Sequence, residues 1–356
     1  MKNNLVKKEK LVKKEIKKKD FSKLTDRESK IFYYIVNYFI NVSEPVSSNK
    51  LIKNYSLPWS SATVRNEMNN LEKKNFIKKD FQTSGSTPTT LGYEYYINNL
   101  MQEKTNIEWK KKLSKILENK KFTLEEIIDN CCKTLGEVSR LYITHLKHDF
   151  IDEYIKKIEF FEIDSDKIMG IIVSNHSKII HKIIEIPKNV SKKDFIYCLK
   201  TISERLYGCY IKDIDKQLNF IIPLIKKKFL EINDFITKVI KKFFEINVTK
   251  TLSYGLHNLF YYDEFKDNKK QIDNFLKIIE ENSILKIIED ISHISKKNLS
   301  YSFVNQKELK NLALIMSSYD IKSTKGDIIV IGPNRMEYEQ IYSILVWLVN
   351  KLKEKF

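Results

Sequence analysis

The stretch Ser60-Ser61-Ala62-Thr63-Val64-Arg65-Asn66-Glu67-Met68, continued by Asn69-Asn70-Leu71-Glu72-Lys73, decides how this chain is read. Ser60 is an N-cap residue, and the run behind it has helical spacing. At about 100° per residue, Val64, Met68 and Leu71 fall on one side and are expected to face a core. The opposite side carries Ala62, Asn66, Asn69 and Lys73, flanked by Thr63, Arg65 and Asn70. Plain solvent faces are usually dominated by Glu and Lys, whereas this one is short and polar and suits close approach to another surface. Asn can pair with adenine, Arg with guanine, and an Ala or Thr methyl can touch a thymine methyl. The helix is therefore expected to read a major groove, with an ordinary polar face as the competing reading.

The surroundings fit that expectation. Upstream, Thr25 and Glu28 form a capping box that starts a helix carrying Ile31, Ile35, Tyr38, Phe39 and Val42. Glu44-Pro45 ends it. Ser47 or Ser48 can cap a second, short helix with Leu51, Ile52 and Tyr55, and Ser56 to Trp59 is a turn. Downstream, Phe76 to Phe81 reads as a strand, Thr83 to Pro88 as a tight turn, and a helix begins near Thr89. Helix, helix, helix, strand and turn is the order of a winged helix-turn-helix. Lys78 and Lys79 on the strand are expected to reach phosphates. Thr83, Ser84 and Ser86 offer hydroxyl donors, and Gly85 would let backbone approach the duplex. The candidate DNA-binding set is Ser60, Ser61, Ala62, Thr63, Arg65, Asn66, Asn69, Lys73, Lys78, Lys79, Thr83 and Ser84.

The rest of the chain reads as mixed α and β. Residues 110–148 look mostly helical. Ile158–Ile163, Met169–Ser174 and Lys178–Ile186 look like strands, the last two joined by Asn175-His176-Ser177. Residues 192–207 suit an amphipathic helix, and 217–298 read as helices. Strands return at Asn311–Ile321 and Asp327–Ile331, split by Lys325-Gly326. A last helix, Met336 to Leu352, puts Ile341, Leu345, Leu348 and Leu352 on one face.

Charge is weaker support. The chain has 356 residues and a net charge of +17. Residues 1–20 hold nine Lys against three acidic residues, but 21–100 hold only ten basic against seven acidic ones. A Lys- and Ile-rich composition explains much of that, so the balance invites a polyanion without identifying one. Other classes fare worse. No apolar run is long enough to span a membrane, and the charged N-terminus lacks a signal-peptide core. Cys131, Cys132, Cys198 and Cys209 show no metal or redox spacing, which fits a reduced cytoplasm. The eight glycines are never closer than six residues apart, so neither glycine-rich phosphate motif can occur. His145 and His148, with Asp149 and Asp152, form a weak metal candidate on what reads as a helix. No catalytic constellation, metal site or cofactor fingerprint emerges, and no enzyme is expected.

Several stretches resemble one family. Leu24-Thr25-Asp26-Arg27, Glu44-Pro45-Val46-Ser47-Ser48, Ser60 to Met68 and Leu91-Gly92-Tyr93-Glu94-Tyr95-Tyr96 look like the N-terminal winged helix of the heat-inducible transcription repressor family HrcA. Gly332-Pro333-Asn334-Arg335-Met336-Glu337-Tyr338 resembles its closing motif. Glu204-Arg205-Leu206-Tyr207-Gly208 and the strands around 172–186 match its centre more loosely. The resemblance implies an α+β chain of three parts: a winged-helix DNA-binding domain at 21–104, a GAF-like domain at 105–216 and 299–356, and an inserted dimerisation domain at 217–298; the basic tail at 1–20, read from the Lys-rich sequence itself, is longer than the resemblance implies. It also implies a homodimer on a double-stranded inverted-repeat operator upstream of heat-shock chaperone operons, with activity that depends on a GroEL-type chaperonin. The wing departs from the family pattern: Thr83 to Thr89 is one residue short and lacks an Arg before Pro88. Two other readings remain at this point. One is a ligand-sensing GAF-like regulator, which a sizeable apolar pocket in 110–216 would favour. The other is a general nucleic-acid binder working through the Lys-rich tail.

Overall fold

The computed structural model describes residues 24–79, 85–148, 150, 152–186, 191–226, 234–246, 249–266, 269–280, 295–296, 299–306, 309–322 and 324–356. The tail 1–20, Thr83 and Ser84 lie outside these. Helices and sheets both build the chain, as the sequence patterns indicate. Two compact units emerge. The first is drawn from Met1–Thr144, Ser253–Tyr319 and Ile328–Phe356, the second from His145–Leu252 and Asp320–Asp327. Those cuts do not coincide with the domain limits at 216 and 298 suggested by the sequence.

The first unit opens with helix α1, Asp26–Val42. Thr25 Oγ1 accepts the Glu28 N–H at 3.2 Å, and the Glu28 carboxylate accepts the Thr25 N–H at 2.8 Å. Two donors left orphaned by the helix start are thus satisfied reciprocally. Ile31, Phe32, Ile35 and Val36 are fully buried, each burial contributing about 1.5–3 kcal/mol. Ser47 caps α2, Ser48–Tyr55, and Ser60 caps α3, Ser61–Lys73. Strands β1, Ile77–Lys79, and β2, Ser86–Pro88, pair antiparallel, with Lys78 opposite Thr87. Ser86 to Pro88 is therefore strand, not part of the turn that the Ser, Thr and Pro content suggested. Ladder bonds to β1 and a bridge from Ser86 to Val46 override local turn propensity there.

Thr89 caps α4, Thr90–Tyr95, which widens into a π-helical turn at Tyr96–Leu100. Gly92 packs this helix against the strand. A Cβ there would sit 2.2 Å from the Phe76 carbonyl oxygen. Helices α5, Ile107–Leu117, and α6, Leu124–Ser139, follow. The helical reading of 110–148 fails at its end, because Tyr142–His148 is strand β3. So His145 and His148 sit on a strand, where side chains three residues apart point to opposite faces. His145 is fully buried, and His148 Nε2 lies 2.7 Å from Asp327 Oδ2. Among the described residues no three His, Cys, Asp or Glu side chains gather as a metal site.

The second unit holds an antiparallel sheet in the order β4 (Ile155–Glu162), β5 (Lys167–Ser174), β6 (Ile179–Glu185). Helices α7, Lys192–Leu206, α8, Ile214–Lys226, and α9, Asp234–Phe244, share its core through Phe195, Leu199, Ile202, Leu218, Ile222 and Phe244. The expected all-helical run 217–298 is broken by β7, Thr249–Tyr254, and by the two-residue β8, Ser295–Lys296. Between them lie a 3-10 turn at Leu256–Tyr261 and helices α10, Asp263–Lys266, and α11, Lys269–Glu280. The remaining strands are β9, Leu299–Gln306, β10, Leu309–Ile321, and β11, Thr324–Pro333. They complete a six-stranded sheet in the order β7-β3-β11-β10-β9-β8. Helix α12, Tyr338–Lys355, buries Ile341, Leu345, Leu348 and Leu352 as its spacing indicates. Lys325-Gly326 lies within β11, and the turn falls at Lys322 in a left-handed conformation, φ 54°. No helix among the described residues is long and apolar enough to cross a membrane.

Within the first unit, the N-terminal helices are seated on the C-terminal part of the chain. Tyr93 stacks on Phe303 at 6.0 Å and packs on Tyr338 at 5.8 Å. The buried Glu339 carboxylate accepts the Gln102 N–H at 2.9 Å and the Tyr33 hydroxyl at 3.4 Å. Burial, and next the Glu339 charge, push the Tyr33 hydroxyl up to about 12.

Gly92→Ala is expected to destabilise the chain. In an open helix this change stabilises by up to about 1 kcal/mol, but here the methyl meets backbone, and overpacking costs about 1–3 kcal/mol. Urea unfolding of the full chain reads the sign directly. Glu28→Gln is expected to cost about 1–3 kcal/mol, because a buried acceptor is weakened and Lys74 loses its partner. The pH dependence has a definite sign. Burial raises the Glu28 pKa, but hydrogen bonds from Lys74 and the Thr25 N–H outweigh it and leave it below the ordinary glutamate value. The stabilisation is therefore complete above the unfolded value, about 4.3, and is lost as pH falls through the lower folded value. Acid titration of the melting temperature should show a smaller slope there for Glu28→Gln than for the parent chain.

Candidate nucleic-acid interface

Helix α3 is held at its start, its middle and its end. At the start, Ser60 Oγ accepts the Thr63 N–H at 3.1 Å and lies 2.9 Å from the Thr63 hydroxyl. The Ser61 hydroxyl donates to Asn49 Oδ1 at 2.6 Å and lies 3.2 Å from the Ser48 hydroxyl, which ties α3 to α2. Along its length Val64, Met68 and Leu71 are buried. Arg27 on α1 reaches Glu67 at 3.5 Å, with its guanidinium 6.0 Å from the Trp59 ring centre. At the end, Lys74 Nζ lies 2.8 and 2.9 Å from the two Glu28 carboxylate oxygens. These contacts leave α3 little freedom to roll, so its outward residues are fixed as a set.

That set is close to the one read from the sequence. Ser60, Ala62, Arg65, Asn66 and Lys73 are exposed, and Ser61, Thr63 and Asn69 are half-buried at the edges of the face. Among the described residues, Arg65, Asn66 and Lys73 carry no side-chain hydrogen bond or ion pair. Ser60 and Ser61 have a different emphasis from the one expected, since their hydroxyls are engaged in capping and in the α2–α3 contact.

The hairpin beside α3 is only partly as expected. Lys78 is exposed. Lys79 is half-buried, and its ammonium lies 2.8 Å from Glu72 and 3.3 Å from Asn69 Oδ1. Thr83 and Ser84 fall outside the described residues. The Ser86 hydroxyl is fully buried and faces no solvent. Gly85 has an internal reason to lack a side chain: a Cβ would meet the Pro45 backbone at 2.6 Å. The reading of Ser86 as a duplex-facing donor is corrected accordingly. The pattern-based reading missed Asn49, Glu67 and Glu72, because each acts across elements and no helical or strand periodicity marks it. The capping pair Thr25–Glu28 was visible, but its second partner Lys74, 46 residues away, was not.

A second feature of the first unit is a cavity of about 700 Å³ at the end of α6, lined in part by Lys133, Arg140, Tyr254, His257 and Tyr261. Lys133, Arg140, His257 and Tyr261 are exposed. The buried Asn258 in its wall spends its amide on the Gly136 and Leu141 carbonyls at 3.0 and 3.2 Å. Its walls come from α6 and from residues 253–261, so it lies only in part within the 110–216 stretch in which a ligand sensor was considered.

Comparison with known proteins gives a consistent result. The family profile described as HrcA protein C terminal domain matches residues 125–342, more than half of the chain. A heat-inducible transcription repressor HrcA from Ureaplasma parvum serovar 3 is 28% identical over 335 residues, covering 92% of each chain. Its counterpart from Mycoplasma genitalium is 27% identical over 334 residues, covering 93% of this chain and 96% of the relative. A crystal structure described as a hypothetical protein superposes with a TM-score of 0.54 at 19% identity, over 94% of this chain and 99% of that one, a likeness of fold. The chain belongs to the HrcA family of heat-inducible transcription repressors.

Proposed function

We propose that α1–α3 and the β1–β2 pair form a winged helix that reads an inverted-repeat operator, and that the chain acts there as a homodimeric repressor of heat-shock chaperone operons. One observation carries the reading. The inner face and both ends of α3 are pinned, while Arg65, Asn66 and Lys73 stand exposed without an internal partner. A helix presenting Ala, Thr, Asn and Arg in this way suits a major groove, with bases read by Arg65 and Asn66. Lys73 and Lys78 supply phosphate contacts at the edges of the face. The shortened wing then serves mainly as a backbone contact, with Lys78 in place of the missing Arg.

An inverted repeat calls for a two-fold protein. Helix α8 supports one, because Phe220 and Leu224, one turn apart, are 73% and 49% exposed although the helix buries Leu218, Ile221, Ile222 and Ile225 on its other side. A self-complementary apolar contact through that face would hide both. The domain limits carried by the family resemblance, the GAF-like centre and the dependence on a GroEL-type chaperonin belong to this same reading.

Arg65→Ala and Asn66→Ala should each weaken operator binding by about 1–3 kcal/mol, with unchanged thermal stability and relaxed specificity. Gel-shift titration against an operator and a scrambled duplex at physiological salt measures this, and adding purified chaperonin should tighten operator binding. Equal affinity of the parent chain for both duplexes would end the repressor reading. Equal losses on both duplexes would reassign these residues to phosphate. Phe220→Lys should shift the chain from dimer to monomer in light scattering at micromolar concentration. A parent chain already monomeric there, with full operator binding, would contradict the dimer.

A further inference from the structure

The hydrogen bonds that tie α3 to α2 also orient one amide at the edge of the outward face of α3. The Ser61 hydroxyl and Asn49 Oδ1 are 2.6 Å apart, a separation that suits O–H···O and is short for N–H···O. The atom of Asn49 that faces Ser61 is therefore its carbonyl oxygen, and Ser61 is the donor. The single hydroxyl proton of Ser61 is spent in that bond, so the Ser48 hydroxyl, 3.2 Å away, donates to the Ser61 oxygen. The Asn49 NH2 is turned away from Ser61, and among the described residues it donates to none. Asn49 is exposed, and Ser61, which fixes it, is the first residue of α3, one turn before the exposed Arg65.

We propose that Asn49 is a further DNA-binding residue: its NH2 donates to a phosphate of the operator backbone, with Ser61 and Ser48 as the positioning pair. The proposal rests on α3 being the helix that enters the major groove. In a helix-turn-helix the reading helix lies in that groove while the helix before it crosses the sugar-phosphate backbone. The first turn of α2, tied to the start of α3, then meets the backbone at the edge of the groove. A phosphate oxygen accepts and does not donate, and Asn side chains are ordinary donors to it. The NH2 is the half of the Asn49 amide that such a group requires, and it is the half left outward. An amide already held in its bound orientation loses little rotamer freedom on contact. The contact carries no charge, so it adds affinity without releasing counterions, and it carries no base information. Asn49 thus differs from Arg65 and Asn66, which read bases, and from Lys73, which brings a cation.

Ethylation interference on the operator, in which one phosphate at a time carries an ethyl group, tests this with the full chain. The parent should show a blocked phosphate in each half-site that the Asn49→Ala chain no longer shows, the rest of the pattern being kept. In gel shifts Asn49→Ala should weaken operator and scrambled duplex alike, by about tenfold or more, with the parent's salt dependence retained. Asn49→Asp keeps an acceptor for the Ser61 hydroxyl, and with it the tie between the helices, but has no donor. It should bind no better than Asn49→Ala. Ser61→Ala should weaken binding by a smaller factor and add nothing in the Asn49→Ala chain, since it acts through that amide. The proposal is overturned if Asn49→Ala leaves the interference pattern as in the parent, if Asn49→Asp binds like the parent, if the Asn49→Ala loss falls on the operator alone, or if the Ser61→Ala and Asn49→Ala losses add in full. A parent chain that does not distinguish operator from scrambled DNA would instead end the repressor reading itself.

Discussion

The carboxylate of Glu28 is the contact on which the N-terminal part of this chain depends. It closes the capping box of α1 and, from the same two oxygens, receives Lys74 at the far end of α3. A group that is only 3% exposed must have its charge answered, or its burial would cost several kcal/mol. The answer comes from two elements at once, so the start of the first helix and the end of the third cannot move independently. Ser61 and Asn49 do the same for the start of α3, and Arg27 with Glu67 for its middle. Fixing α3 in this way is the precondition for reading a sequence, since base contacts discriminate only when the donors and acceptors arrive in one geometry.

The same logic extends away from the helices. Tyr93, Phe303 and Tyr338 pack together, and Glu339 accepts from the Tyr33 hydroxyl and the Gln102 backbone. Further along, the Asn106 amide donates to Gln340 at 2.7 Å and the Lys104 N–H to Ser343 at 3.0 Å. The segment 102–106 is thus bonded along successive turns of α12. Arg335 in the closing motif makes a paired contact with Glu264 at 2.6 and 3.1 Å and lies 5.3 Å from the Tyr262 ring centre. Motif residues near the C-terminus therefore have a structural use, holding α10 and the 3-10 turn before it.

What could be read in the sequence followed from the range of the forces involved. Caps at Thr25 and Ser60 were legible because an N-cap bonds within three residues. The outward face of α3 was legible because 3.6-residue periodicity separates the buried Val64, Met68 and Leu71 from the exposed Ala62, Arg65 and Asn66. Strands β3 and β7 were not, because Tyr142–His148 and Thr249–Tyr254 are strands by virtue of neighbours far away in sequence. Inside Lys- and Ile-rich surroundings their patterns pass for helix. The burial of Ser86 was not legible for a related reason: Val46, which bridges to it, arrives from 40 residues upstream. The pairing of Lys79 with Glu72 was not legible, because the two belong to different elements.

On the proposed function, one fixed helix face enters a major groove in each half of an inverted repeat. Dimethyl sulfate footprinting tests it most directly, because the reagent marks guanine N7, a major-groove atom. Bound protein should protect guanines in two clusters about one helical turn apart, 10–10.5 base pairs or a multiple of that, related by the two-fold axis of the operator. The Arg65→Ala chain should lose protection at the same place in both halves. Saturating binding with no N7 protection, or protection in one half only, would contradict the account.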